Sequence, residues 1–183
     1  MNNKRVSLLI TMFLMLLFIS ATACAQSWQM DRFMIGVWGG PGGDEAMAQA
    51  YQDAHFNTVM ESIDHLDLCK AHGLKALVMG ATPEIAAANK DNPDVWGWFI
   101  VDEPKIETWD SVAKNVAEFH AADPNHPAYV NLVSGVDDIA FIEKVKPRFL
   151  SYDYYQWWWG QALHYQFLES HRKDALAKGL PLI

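Results

Sequence analysis

Asp102 and Glu103 are the residues of this chain best placed for acid–base chemistry, because of what surrounds them. Trp96-Gly97-Trp98-Phe99-Ile100-Val101 is an apolar run rich in aromatic and β-branched side chains, and Pro104 ends it. Such a run reads as a fully buried parallel strand carrying two carboxylates at its C-terminal tip. Ending a buried strand on two acids is costly unless they are paired or used. A carboxyl group crowded by aromatic rings has its pKa raised by desolvation, which is what a general acid needs. Alternation places Trp96, Trp98, Ile100 and Asp102 on one face and Gly97, Phe99, Val101 and Glu103 on the other, unless a bulge or the Pro104 turn re-aims one. The competing role for the pair is an acidic turn that caps the next helix.

Other residues could complete a site. Glu61 and Asp153 fall at the tips of the second and sixth strands, as second carboxylates or as groups that orient substrate. After Asp153 comes Tyr154-Tyr155-Gln156-Trp157-Trp158-Trp159-Gly160. Three consecutive indoles cannot all face one core, so at least one belongs to an exposed loop. Indole faces stack on the apolar faces of sugar rings while their N–H groups still donate, which makes Trp157 and Trp158 candidate carbohydrate contacts. Core filling competes evenly for them. Trp38 after the first strand and Asn131 on the fifth are candidates to line a subsite, with core packing the alternative for Trp38. Two carboxylates among many tryptophans point to work on a carbohydrate. The seven histidines form no H-E-x-x-H pattern, and no serine sits in a G-x-S-x-G elbow. No metal and no cofactor is called for. His164 and His171, seven residues apart on one helix, are expected in solvent.

The elements that must position these groups alternate. Strands are expected at 33–38, 57–60, 74–79, 96–103, 129–133 and 149–152, and the segment from Gly179 looks like the start of a seventh. Helical stretches lie between them. Met47, Ala50, Tyr51 and Ala54 mark the first, behind an Asp44 cap; Thr82-Pro83 opens the third; Trp109, Val112, Val116 and Phe119 stripe the fourth; Gln161 to Lys178 forms the last. This alternation implies parallel strands with right-handed crossovers. An open doubly wound sheet advertises a G-x-G-x-x-G turn after its first strand, and the Gly36–Gly43 stretch does not match it. The expected fold class is therefore α/β, a (β/α)8 barrel of the TIM type, incomplete, with about six and a half βα units where a whole barrel takes ~250 residues.

Strand four ending in Asp-Glu-Pro resembles the fourth-strand motif of the clan A glycoside hydrolases, TIM barrels whose acid/base glutamate sits there, usually within Asn-Glu-Pro. Gly97-Trp98-Phe99-Ile100-Val101-Asp102-Glu103-Pro104 is similar to bacterial exported β-galactosidase-like and glycosidase-like barrels. The resemblance covers residues 33 to 183 in layout, with Trp96–Pro104 its specific part. It implies Glu103 as general acid/base, with Asp102 where the clan has an asparagine that bonds the sugar 2-hydroxyl. It also implies a glutamate nucleophile at the end of strand seven. No residue here matches that, so it is expected beyond Ile183. A strand-six tyrosine contacts the nucleophile in the clan, a part that Tyr154 or Tyr155 would take. The alternative is a non-catalytic carbohydrate-binding barrel or a degenerate product.

Residues 1–25 read as a secretory signal peptide rather than as fold. Lys4 and Arg5 precede an apolar Leu8–Ile19 core, and small residues follow at 20–25. Ala23-Cys24-Ala25 fits cleavage before Gln26, while Ala21-Thr22-Ala23-Cys24 fits a lipobox that would place a lipid anchor on Cys24. Both keep residues 26–183 as one exported barrel domain, periplasmic or on the outer surface. Removing the leader takes away Lys4 and Arg5 and no acids, so the formal charge moves from −8 to −10. That balance argues against nucleic acid and against a polybasic membrane contact. Cys69, beside Leu66 and Leu68, reads as a buried inert thiol.

Overall fold

A computed structural model describes residues 28–30, 32–155 and 161–183. Six strands follow the chain in order: β1 (Gly36–Val37), β2 (Thr58–Ser62), β3 (Lys75–Met79), β4 (Val95–Asp102), β5 (Ala128–Val133) and β6 (Tyr152–Asp153). Each pairs in parallel with the next in sequence, so spatial order equals chain order. Between them run α1 (Glu45–Asp53), α2 (Leu66–Ala71), α3 (Pro83–Ala88), α4 (Trp109–Ala122) and α5 (Asp138–Val145), and α6 (Gln161–Ala177) follows β6. Leu182 forms a parallel bridge with Leu150, so the last residues run alongside the approach to β6 as a seventh strand would. This is an incomplete TIM barrel, as the alternating pattern predicts.

Local chemistry starts and stops the helices as expected. Asp44 accepts from the backbone N–H groups of Ala46 and Met47, and Thr82 caps α3 with Pro83 in its first turn. Gly73 takes φ 65° just after α2, where a side chain would be strained. Two edge elements are shorter than expected. β1 keeps only Gly36–Val37, with Phe33 80% exposed, because nothing covers its outer side among the described residues. In α1 the buried residue is Ala48, and Met47 is exposed.

Two apolar layers hold the strands. Outside, Val59, Val78, Trp98, Val130 and Leu132 meet Val116 and Phe119 of α4 and Phe141 and Val145 of α5. Inside the curl, Met60, Leu77, Trp96, Tyr129 and Phe149 pack together with Trp28, Phe99 and Ile183. Trp96 meets Trp28, Tyr129 and Phe149 edge-on, the geometry favoured by aromatic quadrupoles. Trp96 and Trp98 thus face opposite layers, against simple alternation. The β3–β4 register shifts around Trp96 and the β4–β5 register shifts at Ile100, and each bulge turns the strand once. Phe99 and Asp102 consequently share the inner side with Trp96. Cys69 is fully buried; burial, then the charges of Glu61 and Asp94, push its thiol up to about 11.

His171 departs from expectation. It is 1% exposed, stacks on Tyr152 at 4.0 Å between ring centroids and pairs through Nδ1 with buried Asp138. α5 and α6 pack face to face here, which one helix's spacing cannot reveal. His164 is half-buried beneath Tyr154.

Candidate functional site

β4, β5 and β6 deliver four polar side chains to one end of the curl. Asp102 at the tip of β4 accepts from Asn131 Nδ2 at 3.0 Å. Asn131 is 2% exposed, and its Oδ1 lies 3.3 Å from Ser151 Oγ, itself 2.8 Å from the Tyr129 hydroxyl. Its amide also bonds the Asp153 carboxyl. Asn131 is therefore a buried strut between two acids, with little left to offer a ligand.

Glu103 follows Asp102 with φ 42°, in the left-handed region that a side chain enters at a cost of about 1–3 kcal/mol. Its N–H donates to the Asn131 carbonyl at 2.9 Å, which holds the turn. This backbone re-aims Glu103, so that it stands with Asp102 and Asp153 rather than on the opposite face. The Glu103 and Asp153 carboxyl groups stand near enough for each to act on the other's ionisation. Glu103 is exposed rather than crowded by aromatic rings, and slight desolvation, then the charges of Asp153 and Asp102, raise its carboxyl pKa. Asp153 is raised as well, by burial first, although the Asn131 hydrogen bond works the other way. Both acids therefore hold their protons to a higher pH than they would apart. Tyr155, exposed at the rim, is raised chiefly by the charge of Asp153.

Glu61 has a different occupation. It is buried, and burial opposes its ionisation, but hydrogen bonds from His65 and from the N–H groups of Ser62 and Gly42 outweigh this and lower its pKa. Gly42 N–H donates to Oε2 at 2.7 Å; Ser62 N–H (2.7 Å) and His65 Nδ1 (3.0 Å) meet Oε1. A Cβ on Gly40 would lie 2.2 Å from the Met60 carbonyl and 2.6 Å from Glu61 Oε2. Glu61 is the post around which the glycine loop after β1 is wound. Trp38, 56% exposed, stands over Phe99 and Tyr129 at 5.8 and 6.4 Å and borders an inner cavity of about 240 Å³.

The structure thus gathers Asp102, Glu103, Asn131, Asp153 and Tyr155. Tyr154 packs instead against His164 and Phe167 of α6. Trp157 and Trp158 lie outside the described residues, as does Cys24. Sequence reading missed Ser151, Tyr129 and His65. Only the run of glycines before Asp44 hinted that a buried group must hold that loop. Among the described residues no group of three or more His, Cys, Asp or Glu side chains is arranged to hold a metal ion, and no helix is long and apolar enough to cross a membrane.

No family model matches the sequence, and no curated protein matches it either. Solved structures do. An FMN-binding beta-glucuronidase from Facaelibacterium prausnitzii superposes with a TM-score of 0.58 at 16% identity, over 75% of this chain and 26% of its own. A GH2 beta-galacturonidase from Eisenbergiella tayi gives 0.53 at 15% identity, over 75% of this chain and 30% of its own. A GH10 xylanase from Thermobacillus composti gives 0.52 at 11% identity, over 80% and 64%. The fold is the one these glycoside hydrolase barrels share. This chain spans less than two thirds of each of those barrel proteins, and at these identities the likeness is one of architecture. In a barrel of this kind the C-terminal strand tips carry the chemistry, and that is the end at which Asp102, Glu103, Asn131 and Asp153 meet.

Proposed function

We propose that this chain is the acid/base part of an exported glycoside hydrolase acting on a carbohydrate, with Glu103 as proton donor. The observation that carries this reading is the Glu103–Asp153 pair: a carboxyl group at the tip of β4 with a raised pKa, in a fold common to glycosidases. A raised pKa keeps the proton on the acid to higher pH, where it can pass to a departing glycosidic oxygen. Asp102 and Asp153 supply the negative charge that raises it, and Asn131 holds both in place. Trp38 and Tyr155, exposed beside the mouth, are the surfaces we assign to the sugar.

Hydrolysis of this kind uses two carboxyl groups about 5–5.5 Å apart in retaining enzymes, or about 6.5–9.5 Å apart in inverting ones. Asp153 serves Glu103 as a charged neighbour that raises its pKa, and Glu61 is spent on its loop. We therefore place the nucleophile outside this sequence, past Ile183. Residues 1–25 are read as the export signal, with lipidation of Cys24 the alternative to cleavage before Gln26.

The test is Glu103→Gln, which keeps shape and removes the proton. In the full-length protein that carries the nucleophile, hydrolysis of an aryl glycoside with a poor leaving group should fall by roughly 10²-fold or more, the size expected for a lost general acid. A variant that turns over such a substrate at the wild-type rate sinks the assignment.

A further inference from the structure

Asn131 is held at both ends of its amide. Its Nδ2 donates to Asp102 Oδ1 at 3.0 Å and bonds Asp153, while its Oδ1 lies 3.3 Å from Ser151 Oγ. Ser151 is 3% exposed, and its carbonyl accepts from Leu132 N–H at 3.0 Å, which locks its backbone to β5. Its hydroxyl also lies 2.8 Å from that of Tyr129, which shares the inner side of β5 with Asn131 two residues on. The Tyr129 ring is fixed in turn among Trp96, Phe99 and Phe149. Proton counting gives the order of these bonds. A carboxamide oxygen only accepts, and each hydroxyl has one proton. Among the described residues Ser151 is the only hydrogen-bond partner of the Tyr129 hydroxyl. Tyr129 therefore donates to Ser151, and Ser151 to Asn131. The reverse order would bury one proton without an acceptor and leave two oxygens facing each other at 3.3 Å.

We infer that Ser151 is a positioning residue: it pins Oδ1 of Asn131, so that the amide turns its N–H groups to Asp102 and Asp153 whether or not those acids carry protons. The acids by themselves would not ensure this. An ionised carboxylate calls for a donor, but a protonated one can donate, and an unpinned amide would then turn its oxygen to meet that proton. The two ends of an amide are nearly equal in size, so such a flip has little steric cost. By preventing it, Ser151 denies the protonated form of Asp153 a partner and favours the charged form. Charge on Asp153 in turn favours a protonated Glu103. The consequence for catalysis rests on the proton-donor role proposed for Glu103. The groups facing Asp153 are Asp102 and Glu103 from β4, Asn131 and Tyr129 from β5, and Tyr155 at the rim. Asp138 and His171 stand behind β6, against Tyr152.

The test is an NMR titration of the Asp153 and Glu103 carboxyl groups in this chain, which needs no turnover. In Ser151→Ala the Asp153 titration should move to higher pH, because the freed amide can accept from its protonated form, and the Glu103 titration to lower pH. Tyr129→Phe leaves Ser151 its proton for Asn131, so both titrations should stay at their wild-type positions. A merely structural role for either hydroxyl would lower the melting temperature and move neither titration. An Asp153 titration unmoved by Ser151→Ala, or moved as far by Tyr129→Phe, overturns the inference. If Ser151→Ala fails to fold, the wild type decides alone. There the side-chain amide protons of Asn131 should keep their nuclear Overhauser contacts to the Asp153 methylene on both sides of its titration. Contacts that pass to the Ser151 methylene as Asp153 takes its proton overturn the inference. Wild-type turnover by Glu103→Gln in the full-length protein would instead remove the proton-donor reading, while these titrations still report on Ser151. The two failures are therefore distinct.

Discussion

Glu103 owes its chemistry to a backbone angle as much as to its side chain. At an extended φ it would face away from Asp102; at 42° it joins Asp102 and Asp153. The energy stored in that turn is what strained positions at active sites commonly hold. Asp153 then acts on Glu103 through charge, and that is testable by sign. In the role proposed for Glu103 a general acid works while protonated, so the full-length protein would lose activity as pH rises through its pKa. Asp153→Asn removes a negative charge that holds the proton on Glu103. The alkaline limb of kcat/KM against pH should therefore move to lower pH, with the acid limb less affected. An unmoved alkaline limb would mean that Asp153 does not tune the acid. Glu103 and Pro104 at a strand tip were legible in the sequence. The partnership with Asp153 was not, since 50 residues separate the two and it takes the β4–β5 and β5–β6 pairings together to join them.

At the scale of elements, two devices position the mouth. One is the glycine loop wound on Glu61. Gly40→Ala puts a methyl group into the Met60 carbonyl, and backbone cannot give way cheaply. We expect a loss of about 1–3 kcal/mol in urea denaturation, of the size typical for overpacking. Gly42→Ala, with open space around its Cβ, should cost less despite its positive φ. The other is the Asp138–His171 pair that ties α5 to α6 behind β6. His171→Leu strands a buried acid and should cost about 3–5 kcal/mol, whereas Asp138→Leu with His171→Leu should recover much of the loss. A double variant no more stable than the single one would show that the pair itself carries the stability. Sequence spacing could place His171 on a helix. It could not say which neighbour covers that face.

Across the whole molecule, stability should follow the buried groups beneath the strands. His120 accepts from Ala128 N–H through Nε2 at 3.3 Å, a bond that only the unprotonated nitrogen can make. Burial, then the charge of Arg148, pull its pKa to about 4. The unfolded chain binds that proton below pH ~6.5, and the folded one does not until about 4. Its contribution is therefore complete above the unfolded value and is lost as pH falls through this window, on the order of 2 kcal/mol after allowing for its partial exposure. Asp123 acts in the same direction further down. Its burial opposes ionisation, but hydrogen bonds from His126 and Trp98 lower its pKa, so protonating it also favours unfolding. The thermal midpoint should drop between pH 7 and pH 4.5, and His120→Gln, whose amide oxygen can still accept from Ala128, should flatten that slope. A midpoint indifferent to pH in wild type would contradict the burial of His120.

What the amino-acid sequence determined by itself was local: apolar runs of strand length, caps such as Asp44 and Thr82, and the acids that end β4. Alternation of such segments was enough for parallel strands, and the absence of a G-x-G-x-x-G turn after the first favoured a barrel over a doubly wound sheet. Tertiary structure decided which acids meet and which are spent. Two register shifts in β4 turned Phe99 and Asp102 inward, Asn131 braced Asp102 against Asp153, and a loop far along the chain consumed Glu61. These outcomes depend on contacts between segments tens of residues apart, and no local pattern of residue types encodes the register in which those segments come together.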